Sequence, residues 1–145
     1  MQYRIMTIVD IPLAAAMYRT YYNTYEDGKW TLETAENRIR QVLTRMDSYS
    51  LLCEDAGEIV AMAMGYFEQY DDGSAYDLVE IVVAADFQNR GVGTEMMYEL
   101  EWRVREKGAM LIQLQAVNDA HHAHFYTKLG YGDAKNLVMK TKMLV

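Results

Sequence analysis

The run Leu78 to Ala85 is apolar throughout except for one charge, Glu80. Two glycines, Gly91 and Gly93, follow closely. Behind them opens an amphipathic repeat that sets Gly93, Met96, Met97, Leu100 and Val104 on one stripe. That order reads as a buried strand, a short glycine loop and a helix packed on the same core. Gly108 stops the helix and Met110 to Val117 returns as a strand. If both strands share a sheet, the connection must be a right-handed parallel crossover. Backbone N–H groups left uncovered by glycine at a helix N-terminus suit a phosphate. The loop alone reads equally as a plain turn before a helix.

The rest of the chain surrounds this unit with antiparallel elements. Gln2 to Val9 reads as a first strand, and Asp10 and Pro12 as the cap and first turn of a helix through Tyr25. A second helix is predicted over Thr31 to Met46, with Leu32, Ala35, Ile39, Val42, Leu43 and Met46 inward. Glu33, Glu36, Arg38 and Arg40 are assigned to its water-facing side. Strands follow over about 50–54, 58–69 and 75–85, with turns at Asp55-Ala56-Gly57 and Tyr70 to Gly73. A short helix is predicted over Ala120 to Lys128, with Gly130 as its exit. The alternation of Asn136 to Leu144 reads as a last strand at the sheet edge. The expected fold is α/β (or α+β): one domain over residues 1–145, a mixed, mostly antiparallel sheet with one parallel pair and helices on both faces.

Two nucleotide-binding schemes fail on the loop. A dinucleotide fingerprint needs a third glycine where Met96 stands, and no carboxylate near Leu111 to Leu114 is placed for a ribose. A nucleoside-triphosphate loop needs Gly-Lys-Ser/Thr, which is absent. The spacing Gln88-x-x-Gly91-x-Gly93 behind Val83 resembles instead the pyrophosphate loop of the GNAT superfamily of acetyl-CoA-dependent N-acetyltransferases. A second run, Asn118 to Tyr131, resembles that family's later segment, in which an asparagine closes a strand and a helix carries Phe-Tyr before Leu-Gly-Tyr. Here Phe125, Tyr126, Leu129, Gly130 and Tyr131 hold those places, with one residue more than usual between Asn118 and Tyr126.

The resemblance implies acetyl-CoA as acyl donor, wedged between splayed parallel strands. Pantetheine would pair with the backbone of Ile81, Val82 and Val83. The pyrophosphate would lie over Gln88, Asn89, Arg90, Gly91, Val92, Gly93 and Thr94, with Asn118 and Lys128 as further contacts. Arg90 reads either as a phosphate ligand or as a solvent-facing side chain. The reaction the resemblance implies is direct attack of an amine on the thioester in a ternary complex. Glu80, the acid inside the apolar strand, is the candidate general base. From the residues alone it serves as well as a salt-bridge partner or a water-facing side chain. Tyr126 resembles the tyrosine that protonates the departing thiolate, and otherwise reads as packing.

A net charge of −7 repels phosphate backbones and speaks against nucleic acid as a partner. No apolar run is long enough to span a bilayer, and no signal-peptide core stands at the N-terminus. The single cysteine, Cys53, leaves no internal disulfide and suits a reducing cytoplasm. His121, His122 and His124 lack a clear fourth ligand, so no metal is expected. Tyr22, Tyr25 and Trp30 are the expected acceptor-binding residues. With Glu26, Asp27, Glu33, Asp71 and Asp72 nearby, they suit a small cationic amine, although these acids also read as solvated loop charges. A protein N-terminus or lysine is the alternative acceptor, and a noncatalytic acyl-CoA sensor the alternative class. The surplus of tyrosine and the terminal alternating segment suggest a homodimer.

Overall fold

A computed structural model describes residues 1–145. It resolves into two compact units, Met1–Gln115 and Ala116–Val145. In the first, β1 (Gln2–Ile5) leads through a short 3-10 turn into α1 (Ile11–Tyr25) and α2 (Leu32–Leu43). The strands β2 (Ser48–Asp55), β3 (Glu58–Tyr70) and β4 (Gly73–Val83) follow, then α3 (Val92–Glu106) and β5 (Ala109–Leu114). The sheet runs in chain order, antiparallel from β1 to β4, with β4 and β5 parallel.

β1 is shorter than the predicted Gln2 to Val9 because Asp10 folds the chain back. The Asp10 carboxylate accepts the Thr7 N–H at 2.8 Å and both terminal nitrogens of Arg4, at 2.7 and 2.9 Å. Asp10 therefore precedes α1 as predicted, but its side chain caps the 3-10 turn and leaves the helix itself uncapped. Thr31 caps α2 by accepting the Thr34 N–H. Ala35, Ile39 and Val42 form its buried stripe, whereas Leu32 and Met46, predicted to face inward, are exposed. Ala56 and Gly57 both have positive φ, as a two-residue hairpin between β2 and β3 requires.

The sheet is covered on both faces. Tyr18, Ala35, Ile39 and Val42 from the first two helices pack with Leu52, Met62, Met64 and Val82. On alternate strand positions Leu51, Cys53, Ala61 and Ala63 are buried as well. The helix α3 packs on β3, β4 and β5, burying Val92, Met96, Met97, Leu100 and Val104; Val92 takes the place predicted for Gly93. Opposite β4, the register shifts between Met64 and Gly65. There a Cβ on residue 65 would stand 2.1 Å from the Asp77 carbonyl oxygen, so only glycine fits the crossing.

The second unit holds α4 (Ala120–Lys128), with Asp119 as N-cap accepting the His122 N–H at 2.8 Å. Gly130, at φ +92°, ends it, and the Tyr131 N–H donates to the Tyr126 carbonyl. The predicted terminal strand is not formed. Residues 136–144 carry no strand structure and are exposed throughout. Their alternation satisfies a strand pattern, but a strand has no hydrogen bonds of its own and exists only beside a partner. No helix of the chain is long and apolar enough to cross a membrane.

Candidate active site

Where β4 outlasts β5, the sheet opens. Their ladder ends at Leu78↔Leu114, while β4 continues to Val83 paired with β3 alone. Ile81, Val82 and Val83 therefore lie in a stretch whose second edge has no strand beside it. An extended amide chain can add to such an edge.

The loop beyond is braced by its own side chains. Gln88 Nε2 donates to the Val83 carbonyl at 3.1 Å, tying the loop to the strand end. Arg90 donates to the Asp86 carbonyl at 3.0 Å and lies 4.7 Å over the Phe87 ring. Both side chains thus hold the loop in the structure described. Asn89 and Gly91 have positive φ, +59° and +81°. Gly91 is the N-cap of α3 and no side chain caps that helix. The first bond of the helix runs from the Glu95 N–H to the Gly91 carbonyl. Val92, Gly93 and Thr94 therefore present N–H groups for which α3 has no partner, at its positive end. That donor set fits a diphosphate. A Cβ at position 91 would meet no protein atom within 4 Å, so within the chain it is the left-handed backbone that calls for glycine there.

Glu80 lies further back on the same strand, on the face covered by α1 and α2. Its side chain is 9 % exposed, and it is not isolated. Tyr18 Oη donates to Oε1 at 2.9 Å and Tyr22 Oη to Oε2 at 2.5 Å. Arg38 donates to Oε1 from Nε and Nη2, at 3.2 and 3.1 Å. Burial, followed by the charge and hydrogen bonds of Glu80, pushes the pKa of both tyrosines well above the ordinary phenol value. Burial works against the Arg38 charge, but the Glu80 carboxylate outweighs it and holds the guanidinium pKa up.

Arg38 was assigned to the water-facing side of α2 and is instead half-buried on Glu80. The signal was available, because position 38 lies three residues after Ala35 and four before Val42, inside the buried stripe. Tyr18 was not among the predicted site residues either, although it shares a face with Tyr22 at i, i+4. Of the expected acceptor residues, only Tyr22 touches Glu80. Trp30 stands edge-on to Tyr18, 4.9 Å between ring centres, and Asn23 clasps its backbone N–H and carbonyl. Tyr25 is exposed and adjoins Tyr21 at 5.6 Å.

In the second unit, Tyr126 is half-buried, with Phe125 and Tyr131 edge-on at 5.0 and 5.8 Å. Asn118 and Lys128 are exposed. His122 Nδ1 lies 2.7 Å from Asp119 Oδ1, which ties that ring to the helix cap.

A family model described as the acetyltransferase (GNAT) family matches residues 14–131. The uncharacterized protein YxbD of Bacillus subtilis (strain 168) is 33% identical over 88 residues, which are 59% of this chain and 50% of that protein. The chain thus spans about half the length of this curated relative. In fold it is similar to a possible acetyltransferase from Clostridium difficile 630, with a TM-score of 0.85 at 11% identity over 99% of this chain and 98% of that one. The ribosomal-protein-alanine N-acetyltransferase of Brucella melitensis biovar Abortus 2308 gives a TM-score of 0.78 at 14% identity, over 99% and 100% of the two chains. An aminoglycoside N-acetyltransferase, AAC(6')-Iy, in complex with CoA gives 0.75 at 14%, over 97% and 93%.

Proposed function

We propose, because the chain belongs to the acetyltransferase (GNAT) family, that residues 1–145 act as one N-acetyltransferase domain with acetyl-CoA as acyl donor and a primary amine as acceptor. The observation that carries this reading is the open β4 edge leading through the short loop 84–91 into the uncapped N-terminus of α3. Acetyl-CoA supplies the thioester when bound. The backbone of Ile81, Val82 and Val83 is assigned to its pantetheine. The N–H groups of Val92, Gly93 and Thr94, with Gln88, Asn89, Arg90 and Gly91 shaping the loop, are assigned to its pyrophosphate. Asn118 and Lys128 are assigned to its outer parts.

Glu80 is the general base of this scheme and Tyr126 the acid that protonates the thiolate. The amine attacks the thioester carbonyl directly, so no acyl-enzyme forms. The acceptor class is a small cationic amine. Its support is the aromatic side chains Tyr22, Tyr25 and Trp30 in the α1–α2 region, the exposed acids Asp27 and Glu33 nearby in sequence, and the net charge of −7. A protein N-terminus or lysine is the second acceptor reading, and one fold relative is named for ribosomal-protein alanine. A noncatalytic acyl-CoA-binding module is the rival class.

Titration calorimetry is expected to show acetyl-CoA binding, and no binding at millimolar cofactor would overturn the assignment. Chromatography of products from polyamines, aminoglycosides, amino acids and peptides tests the acceptor. Modification of neutral or acidic acceptors alone would reject the cationic class, and cofactor binding without CoA release on any amine would favour the module. Tyr126→Phe is expected to lower kcat on the order of 10²-fold while leaving acetyl-CoA affinity within about twofold. Equal losses in both would make Tyr126 a binding residue.

A further inference from the structure

The two carboxylate oxygens of Glu80 are unequally loaded. Oε1 receives Tyr18 Oη, Arg38 Nε and Arg38 Nη2. Oε2 receives Tyr22 Oη alone. Each oxygen offers two lone pairs, so Oε1 is saturated and Oε2 retains capacity for a proton. The surroundings of the carboxylate are equally uneven. Tyr18 is 1 % exposed, so an acceptor arriving from solvent does not reach its hydroxyl. Arg38, whose side chain is 39 % exposed, is a donor only and cannot take a proton. Tyr22 is half-buried, and its phenol oxygen both donates and accepts.

Building on the assignment of Glu80 as base, we propose that Tyr22 is a catalytic residue: its phenol oxygen takes a proton from the acceptor ammonium while its own proton passes to Glu80 Oε2. One N–H bond breaks, the Tyr22 O–H bond is exchanged, and Glu80 becomes a carboxylic acid. The neutral amine then attacks the thioester. Tyr126 protonates the departing thiolate and is reprotonated by the second proton lost from nitrogen, and Glu80 returns its proton to solvent. Tyr18 and Arg38 are positioning residues that hold Oε1, and so turn Oε2 toward Tyr22. The groups facing Glu80 are Tyr18 and Tyr22 from α1 and Arg38 from α2, while β3 presents Met64 opposite it.

The test uses the full chain, saturating acetyl-CoA, and whichever of spermidine, kanamycin and Ala-Ala-Ala is acetylated fastest. Glu80→Gln, Tyr22→Phe, Tyr18→Phe and the double variant Glu80→Gln/Tyr22→Phe are compared. Calorimetry of acetyl-CoA and thermal melts show that each variant is folded and loaded. A relay predicts that Tyr22→Phe and Glu80→Gln each lower kcat on the order of 10²-fold. The double variant falls no further, because serial members of one path act as a unit. Tyr18→Phe costs less than about tenfold, since Arg38 stays on Oε1. Tyr22→Phe within about threefold of wild type, equal losses for the two tyrosines, or additive losses in the double variant would each overturn the relay. If Glu80→Gln itself stays near wild type, the base assignment fails and the relay with it; if none of the three amines is acetylated, the ammonium acceptor fails, and the relay, which needs an ammonium proton, fails with it. Should Tyr22→Phe not fold, 3-fluorotyrosine at position 22 keeps the ring and hydroxyl. A relay then shifts the pH dependence of kcat, and an unchanged profile overturns it.

Discussion

Arg4 carries the clearest electrostatic commitment of a single side chain outside the site. It pairs with Asp10 through two nitrogens and reaches Glu54 through Nε at 2.5 Å, joining β1, the following turn and β2. The Arg4 hydrogen bonds hold the Asp10 carboxyl below its ordinary 3.8, against the opposing effect of burial. A folded pKa below the unfolded one stabilises the protein above the unfolded value, and that stability is lost as pH falls through the folded one. Asp10→Asn is therefore expected to cost about 1–2 kcal/mol near pH 7. The difference from wild type should narrow below about pH 4. Urea unfolding of both proteins between pH 7 and 2.5 checks it, and a gap constant with pH would show that the loss is steric.

At the scale of elements, the junction between β4 and α3 joins fold to function. Gly91 must hold φ +81°, and a methyl there meets no atom of the chain. Gly91→Ala is thus expected to cost about 1–2 kcal/mol of backbone strain with no steric clash. The helix start should shift to relieve it, misplacing the N–H groups of Val92, Gly93 and Thr94. Acetyl-CoA affinity should fall about tenfold or more by calorimetry, with a lower melting temperature. Lost stability with unchanged affinity would remove this turn from the cofactor site. At the same junction Gln88, a position of the motif, and Arg90, which is not, both brace the loop, one to the strand end and one to its own turn.

For the whole molecule, exposed apolar surface is the feature the fold does not resolve. Leu137, Val138, Met139, Met143 and Leu144 are exposed in the second unit, and Met110 and Leu111 on the edge strand β5 of the first. Within the second unit these apolar residues fall in one short segment, and large contiguous apolar patches are rare on monomers. The homodimer first suggested by the terminal alternation is retained as a proposal, now on this exposed surface, since residues 136–144 form no strand in the chain. Light scattering at low micromolar concentration is expected to give about twice the chain mass. A mass of 16.8 kDa would refute the dimer.

The sequence by itself determined the order of elements wherever a local rule was sufficient. The apolar run through Val83, the glycine at 91, the stripe of Met96, Met97, Leu100 and Val104, and the Gly130 exit of α4 all act within a few residues of chain. Their structure follows from periodicity, capping and allowed φ. Glu80 was legible as the one acid of the apolar run Leu78 to Ala85, and Tyr22 as an aromatic of α1. Tertiary structure alone decided what meets them. Arg38 and Tyr18 reach Glu80 from residues 42 and 62 positions away, and no local pattern encodes a partner at that range. The errors had two origins. Asp10 shortened β1 through side-chain bonds to Thr7 and Arg4 that the alternation does not register, and residues 136–144 carry the alternation of a strand without the neighbour that would make them one. Backbone preference is local, but a hydrogen-bond partner for a buried charge or a strand edge is supplied only when the chain folds back on itself.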